Sequence, residues 1–166
     1  DVNRAMKENE LYLVYQPKFS SYSQCIDGLE TLLRWNHPKY GNLSPAVFVP
    51  ILEEYDRMVK VTDWIIDGVC KQIASWKLED ISFKQVAINI PGEYITSPLL
   101  LGVFTEKLSE YGLEPSQIEL EITENSFVKN VEEAMRAVSK FREEGFSVAL
   151  DDFGTGVSSL SYLKEM

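Results

Sequence analysis

The chain has 166 residues, 45% of them hydrophobic and 25% charged, which suits one globular domain with a substantial core and excludes a disordered segment. A formal net charge of −10 excludes broad electrostatic binding of a nucleic-acid polymer, which needs Lys and Arg to neutralise phosphates. No apolar run reaches the roughly 18 residues of a membrane span, and Asp1-Val2-Asn3-Arg4 lacks signal-peptide character. A cytoplasmic domain that makes no membrane contact of its own is therefore expected. Cys25 and Cys70 lie far apart, match no metal or redox spacing, and read as reduced thiols.

Along the chain, short apolar runs alternate with segments of helical period. Leu11 to Tyr15 predicts a strand, and Cys25 to Trp35 a second, ending in a turn over His37-Pro38-Lys39-Tyr40-Gly41-Asn42. Ser44 followed by Pro45 reads as a capped helix start. Val61, Ile65, Val69, Ile73 and Trp76 form one face of a longer helix. Val86 to Ile90 predicts a strand. Ser97-Pro98 then opens a helix that Gly112 ends. Ile118 to Ile122 is a strand, Asn130 with Glu133 signals a further helix that stops at Gly145, and Phe146 to Leu150 is the last strand. The order β-β-α-α-β-α-β-α-β points to a largely parallel sheet covered by helices.

Three of these strands share a parity. Val86, Ile88 and Ile90, then Ile118, Leu120 and Ile122, then Phe146, Val148 and Leu150 put large apolar groups on one side. Ala87 and Asn89, Glu119 and Glu121, and Ser147, Ala149 and Asp151 occupy the other. Helices on one face and small or polar groups on the other fit a closed barrel better than a doubly wound sheet, whose strands are apolar on both faces.

In such a barrel, chemistry gathers at the C-terminal strand ends. Those ends read Glu30, Asn89, Glu121 and the pair Asp151-Asp152, all oxygen donors. Oxygen-only sets suit Mg²⁺ or Mn²⁺ rather than zinc or copper. Carboxylates crowded at one mouth repel one another unless cations compensate, so metal-assisted hydrolysis of a phosphate ester is the chemistry implied. His37 has no Ser or Cys partner at a motif spacing and reads as structural, which leaves no hydrolytic triad.

These motifs come in a familiar sequence. Gln16-Pro17, Glu30-Thr31-Leu32-Leu33-Arg34-Trp35 with His37-Pro38, Asn89, Glu119-Leu120-Glu121-Ile122-Thr123-Glu124, and Asp151-Asp152-Phe153-Gly154-Thr155-Gly156 with Ser158-Ser159-Leu160 resemble, in order, the motifs of the EAL domain family. The resemblance implies an α/β fold, a TIM-like (β/α) barrel of the EAL type, of which about five of the eight strands lie in this chain. The first strand is allowed to run antiparallel. It implies that residues 1–166 form an EAL domain that stops before the family's last strands, and that the domain hydrolyses cyclic di-GMP to linear pGpG with two Mg²⁺ or Mn²⁺ ions.

Residue by residue, the resemblance assigns metal binding to Glu30, Asn89, Glu121, Asp151 and Asp152. Glu124 matches a glutamate that steadies the loop from Asp152 to Ser159, and Gln16, Leu33 and Arg34 match positions that contact the dinucleotide. Glu30, Asp151, Asp152 and Glu124 make up its catalytic set. Thr31 stands where the family usually has alanine, and Pro91 where serine is common. A lysine, a proposed glutamate base and further ligands follow in the family's later strands, so residues 1–166 alone are expected to be inactive. Two rival readings stay open, a silent receptor for cyclic di-GMP and a protein-interaction module. Attached regulatory domains are expected, and the open strand edge is expected to be covered either by the rest of the barrel or by a second copy of the chain in a homodimer.

Overall fold

Residues 2–19, 26–123 and 131–151 are described by the computed structural model, beginning with a short helix, α1 (Val2–Lys7). The first two strands are longer than the apolar runs that announce them: β1 spans Leu11–Phe19 and β2 spans Ile26–His37. A short β3 (Gly41–Leu43) folds back on β2 within the expected turn, with Gly41 opposite His37 and Leu43 opposite Trp35. His37 holds this corner. Its Nδ1 accepts hydrogen bonds from the Lys39 and Tyr40 backbone N–H groups, at 3.1 and 3.3 Å, which is the structural role expected of it.

Helix α2 (Pro45–Glu54) starts with Pro45 at its first turn, but the Ser44 side chain makes no capping bond. Helix α3 (Met58–Leu78) buries Val61, Ile65, Val69 and Ile73, the expected face, and lies so close to β1 that a Cβ on Gly68 would sit 3.0 Å from Leu13. Strand β4 (Gln85–Asn89) leads into a single helical turn, α4 (Gly92–Ile95). Helix α5 (Pro98–Tyr111) begins at Ser97, whose Oγ accepts from the Leu99 N–H at 3.3 Å. It ends at Gly112, whose φ of 63° is the left-handed value that favours glycine. β5 (Ile118–Thr123), α6 (Val131–Glu143) and β6 (Ser147–Asp151) complete the described elements. Asn130, the expected cap of α6, lies outside them.

The strands form one sheet in the order β1-β2-β4-β5-β6, with β3 alongside β2. β1 runs antiparallel to β2, whereas β2/β4, β4/β5 and β5/β6 are parallel, each pair joined by a long crossover connection rather than a tight hairpin. The parity expected from sequence sorts the two faces. Val86, Ile88, Ile118, Leu120, Ile122 and Phe146 are buried in the core on the helix side with Leu100, Phe104 and Phe141. Phe104, Phe141 and Phe146 meet edge to face at centroid distances of 5.1 to 6.1 Å and tie α5 and α6 to the start of β6.

The other face curls inward. β1 and β5 stand three strand spacings apart, about 14 Å in a flat sheet, where side chains point perpendicular and do not meet. Lys18 of β1 nonetheless reaches both Glu119 and Glu121 of β5. This chord across the interior is what a barrel-forming sheet permits. Among the described residues the sheet is not closed, and no helix there is long and apolar enough to cross a membrane.

Candidate functional site

Strand register assembles the polar interior face. Glu30 lies opposite Gln16 on β1 and opposite Ala87 on β4. Asn89 lies opposite Glu121, and Asp151 opposite Thr123, two residues beyond Glu121 on the same side. Glu30, Asn89, Glu121 and Asp151 therefore share one face of the sheet and climb in a staircase towards the C-terminal ends of the parallel strands. The sequence reading put Glu30 at a strand end. Strand β2 in fact continues to His37, and what ends at Glu30 is its parallel ladder with β4, after which it pairs only with β1 and β3.

Two sets of hydrogen bonds organise this face. The Asn89 Nδ2 donates to Glu30 Oε1 at 3.2 Å. Deeper in the interior, Lys18 Nζ donates to Glu119 Oε1 at 2.8 Å and also to Glu121 Oε1. Gln85 Nε2 donates to the second oxygen of Glu119, and Ser147 Oγ donates to Gln85 Oε1 at 3.1 Å. Lys18, Glu119, Gln85 and Ser147 thus form a polar floor beneath the acidic staircase. The sequence reading missed Lys18 and Gln85 as site residues; Lys18 follows the Gln16-Pro17 motif directly, but nothing in its spacing predicts a reach across two strands.

Glu121 is the most enclosed of the acidic groups, 7% exposed. Its Oε2 is buried and has no hydrogen-bond partner among the described residues. Burial pushes its carboxyl above the ordinary carboxylate range; the Lys18 hydrogen bond and charge pull it part of the way back, while Glu30 and Glu119 push it further up. Burial also pulls the Lys18 ammonium down, but its bonds to Glu119 and Glu121 outweigh that and leave it above its ordinary value. Lys18 stays charged and offsets the repulsion between two glutamates on one face. An unpaired buried carboxylate oxygen costs free energy unless something meets it, and a hard cation is the partner that an all-oxygen donor set suits.

Among the described residues no three His, Cys, Asp or Glu side chains are gathered closely enough to hold a metal ion. Gln16 and Arg34 stand on the Glu30 side of β2 and β1 by register, and Arg34 Nη1 donates to the Leu33 carbonyl at 2.9 Å. Leu33 has the opposite parity. It pairs with Leu13 and packs against the core, so the structure does not bring it to this face; Leu32 is the leucine on the Glu30 side. Asp152 and Glu124 lie outside the described residues, as does Cys25. Cys70 is a buried free thiol, pushed up to about 12 by burial, which agrees with the expectation of an inert reduced cysteine.

Comparison with known proteins matches the EAL domain across residues 1–166. The bifunctional diguanylate cyclase/cyclic di-GMP phosphodiesterase MucR of Pseudomonas aeruginosa is 31% identical over 166 residues, covering 100% of this chain and 24% of MucR. Cyclic di-GMP phosphodiesterase PdeR of Escherichia coli is 33% identical over 163 residues, covering 98% of this chain and 24% of PdeR. In three dimensions the chain matches the PaMucR phosphodiesterase in its c-di-GMP complex with a TM-score of 0.92 at 31% identity, over 100% of this chain and 67% of that one. The chain thus spans about a quarter of the length of these curated relatives.

Proposed function

This chain belongs to the EAL domain family, and from that premise we propose that it is part of a cyclic di-GMP phosphodiesterase, a hydrolase that opens the cyclic dinucleotide to linear pGpG. The observation that carries the reading is the buried, unpartnered Oε2 of Glu121 on the same interior face as the hydrogen-bonded Asn89 and Glu30. Glu30, Asn89, Glu121 and Asp151, with Asp152 beside them, would hold Mg²⁺ or Mn²⁺. Such ions, when bound, supply Lewis acidity, lower the pKa of water and neutralise phosphate oxygens.

This chain's own residues position the ligand and the donors. Asn89 uses its NH₂ on Glu30, which orients both side chains and leaves its amide carbonyl as the ligating oxygen. Gln16, directly across from Glu30, and Arg34, farther along the same face, would contact the dinucleotide. The Arg34 guanidinium is braced by the Leu33 carbonyl and supplies a fork suited to a phosphate. Leu32 takes the apolar contact that the family resemblance assigned to Leu33. Glu124 is assigned to steadying the loop that begins at Asp152. Regulatory domains accompany this one in the whole protein, in keeping with the greater length of its relatives, and a cytoplasmic location belongs to the same reading.

The test is turnover of cyclic di-GMP by the full-length protein with Mg²⁺ or Mn²⁺ present. Wild type is expected to release pGpG, and Glu30→Ala to abolish turnover while keeping a cooperative fold, since relieving carboxylate repulsion compensates for the lost Asn89 contact. Tight binding without turnover in wild type would instead identify a receptor. Unchanged turnover in Glu30→Ala would remove the role assigned to that residue.

A further inference from the structure

We propose that Lys18 is a positioning residue for the metal ligand Glu121: by holding Oε1 to the polar floor, it presents Oε2 alone to a hard cation. The inference rests on the metal-dependent reading above and concerns a residue outside the acidic staircase. Its first support is the asymmetry of the carboxylate. One oxygen of Glu121 accepts from Lys18 Nζ, and the other, which is buried, has no partner among the described residues. A carboxylate on an open face would rotate and share both oxygens with solvent. Here one rotamer is held, and the free oxygen belongs to a residue only 7% exposed.

The second support is how Lys18 gets there. Its cross-strand partner is Gly28, which contributes no side chain, so the lysine stem leans over β2 and β4 towards β5. Gly28 is itself required, because a Cβ there would lie 2.9 Å from the Gln85 backbone oxygen. Glu119 anchors the ammonium from the other side at 2.8 Å, and Gln85 and Ser147 in turn fix Glu119. Lys18 is therefore held in one place by a chain of bonds across four strands. A ligand oxygen fixed in this way meets the cation without first losing rotamer freedom, the role that outer hydrogen bonds play at metal sites.

The experiment is Mn²⁺ binding to the metal-stripped full-length protein without nucleotide, read by the electron paramagnetic resonance of free Mn²⁺. Lys18→Met is expected to weaken affinity by about tenfold or more, in the range known for lost outer-sphere partners. Lys18→Arg should recover most of it, and Lys84→Met, at an exposed lysine 4.0 Å from Asp27, should change nothing. If Lys18→Met does not fold, as judged by near-ultraviolet circular dichroism, Lys18→Gln keeps a donor without the charge and is expected to give an intermediate loss. Wild-type or tighter Mn²⁺ binding in the folded Met or Gln variant overturns the proposal, tighter binding marking Lys18 as a competitor of the cation. Wild type that binds no Mn²⁺ overturns the metal reading and the proposal together. Wild type that binds and is weakened by Glu121→Gln but not by Lys18→Met overturns the role of Lys18 alone.

Discussion

Thr31 carries a buried hydroxyl that makes no hydrogen bond among the described residues. It faces the helices, opposite Tyr15, away from the acidic interior. An unsatisfied buried hydroxyl costs on the order of 1–3 kcal/mol, and valine has nearly the same shape without the desolvated oxygen. Thr31→Val is therefore expected to stabilise the domain by about 1 kcal/mol, seen as a higher urea midpoint at unchanged slope. Beside it, Tyr15 packs edge to face on Trp76 at 4.8 Å, and burial pushes its phenol up to about 12. Its folded pKa is raised above the ordinary value, so the stabilisation is complete below pH 10 and is lost as pH rises through about 12. Cys70, raised to about 12 by burial, adds to the same loss. Urea titrations between pH 8 and 12 should show that decline, while the Cys70 peptide resists alkylation at neutral pH until the protein unfolds. Alkylation of native Cys70 at pH 7 would contradict its burial.

At the scale of elements, the parallel ladder between β2 and β4 is only three residue pairs long, Gly28 with Gln85, Leu29 with Val86 and Glu30 with Ala87. It carries Glu30, so its integrity sets the height of that carboxylate. Gly28→Ala would drive a methyl into the Gln85 carbonyl, which is backbone and cannot swing aside. The expected result is a loss of about 1–3 kcal/mol in stability by urea denaturation, with catalytic turnover falling more than stability alone explains. Short elements were the ones that periodicity did not separate. Six-residue α1, three-residue β3 and four-residue α4 span too few residues for a 3.6 or 2.0 repeat to show, whereas α3 and α5 announced themselves by their buried faces.

For the whole molecule, β1 and β6 are the outermost strands of the described sheet, each paired with one neighbour. Strand edges present unpaired N–H and C=O groups that another strand can meet. Expressed alone as residues 1–166, the chain is expected to self-associate, and light scattering with mass spectrometry would report a species larger than 19.0 kDa. A cooperative monomer at 19.0 kDa that cleaves cyclic di-GMP would show that these edges need no cover and that later strands are dispensable.

The alternation of apolar and polar residues in 86–90, 118–122 and 146–150 determined by itself which face of each strand meets the helices, because a period of two leaves no other way to bury the large side chains. The order of acidic motifs likewise identified the family and four oxygen donors that share one face. The point where β2 leaves its parallel ladder with β4, the core-facing side of Leu33 and the place of Lys18 came only from the tertiary structure. Strand pairing decides where a ladder ends, and register decides which leucine of Leu32-Leu33 looks inward. Lys18 meets residues 101 and 103 positions away only because the sheet curls, and no local pattern in a sequence encodes a contact made across the inner face of a curled sheet.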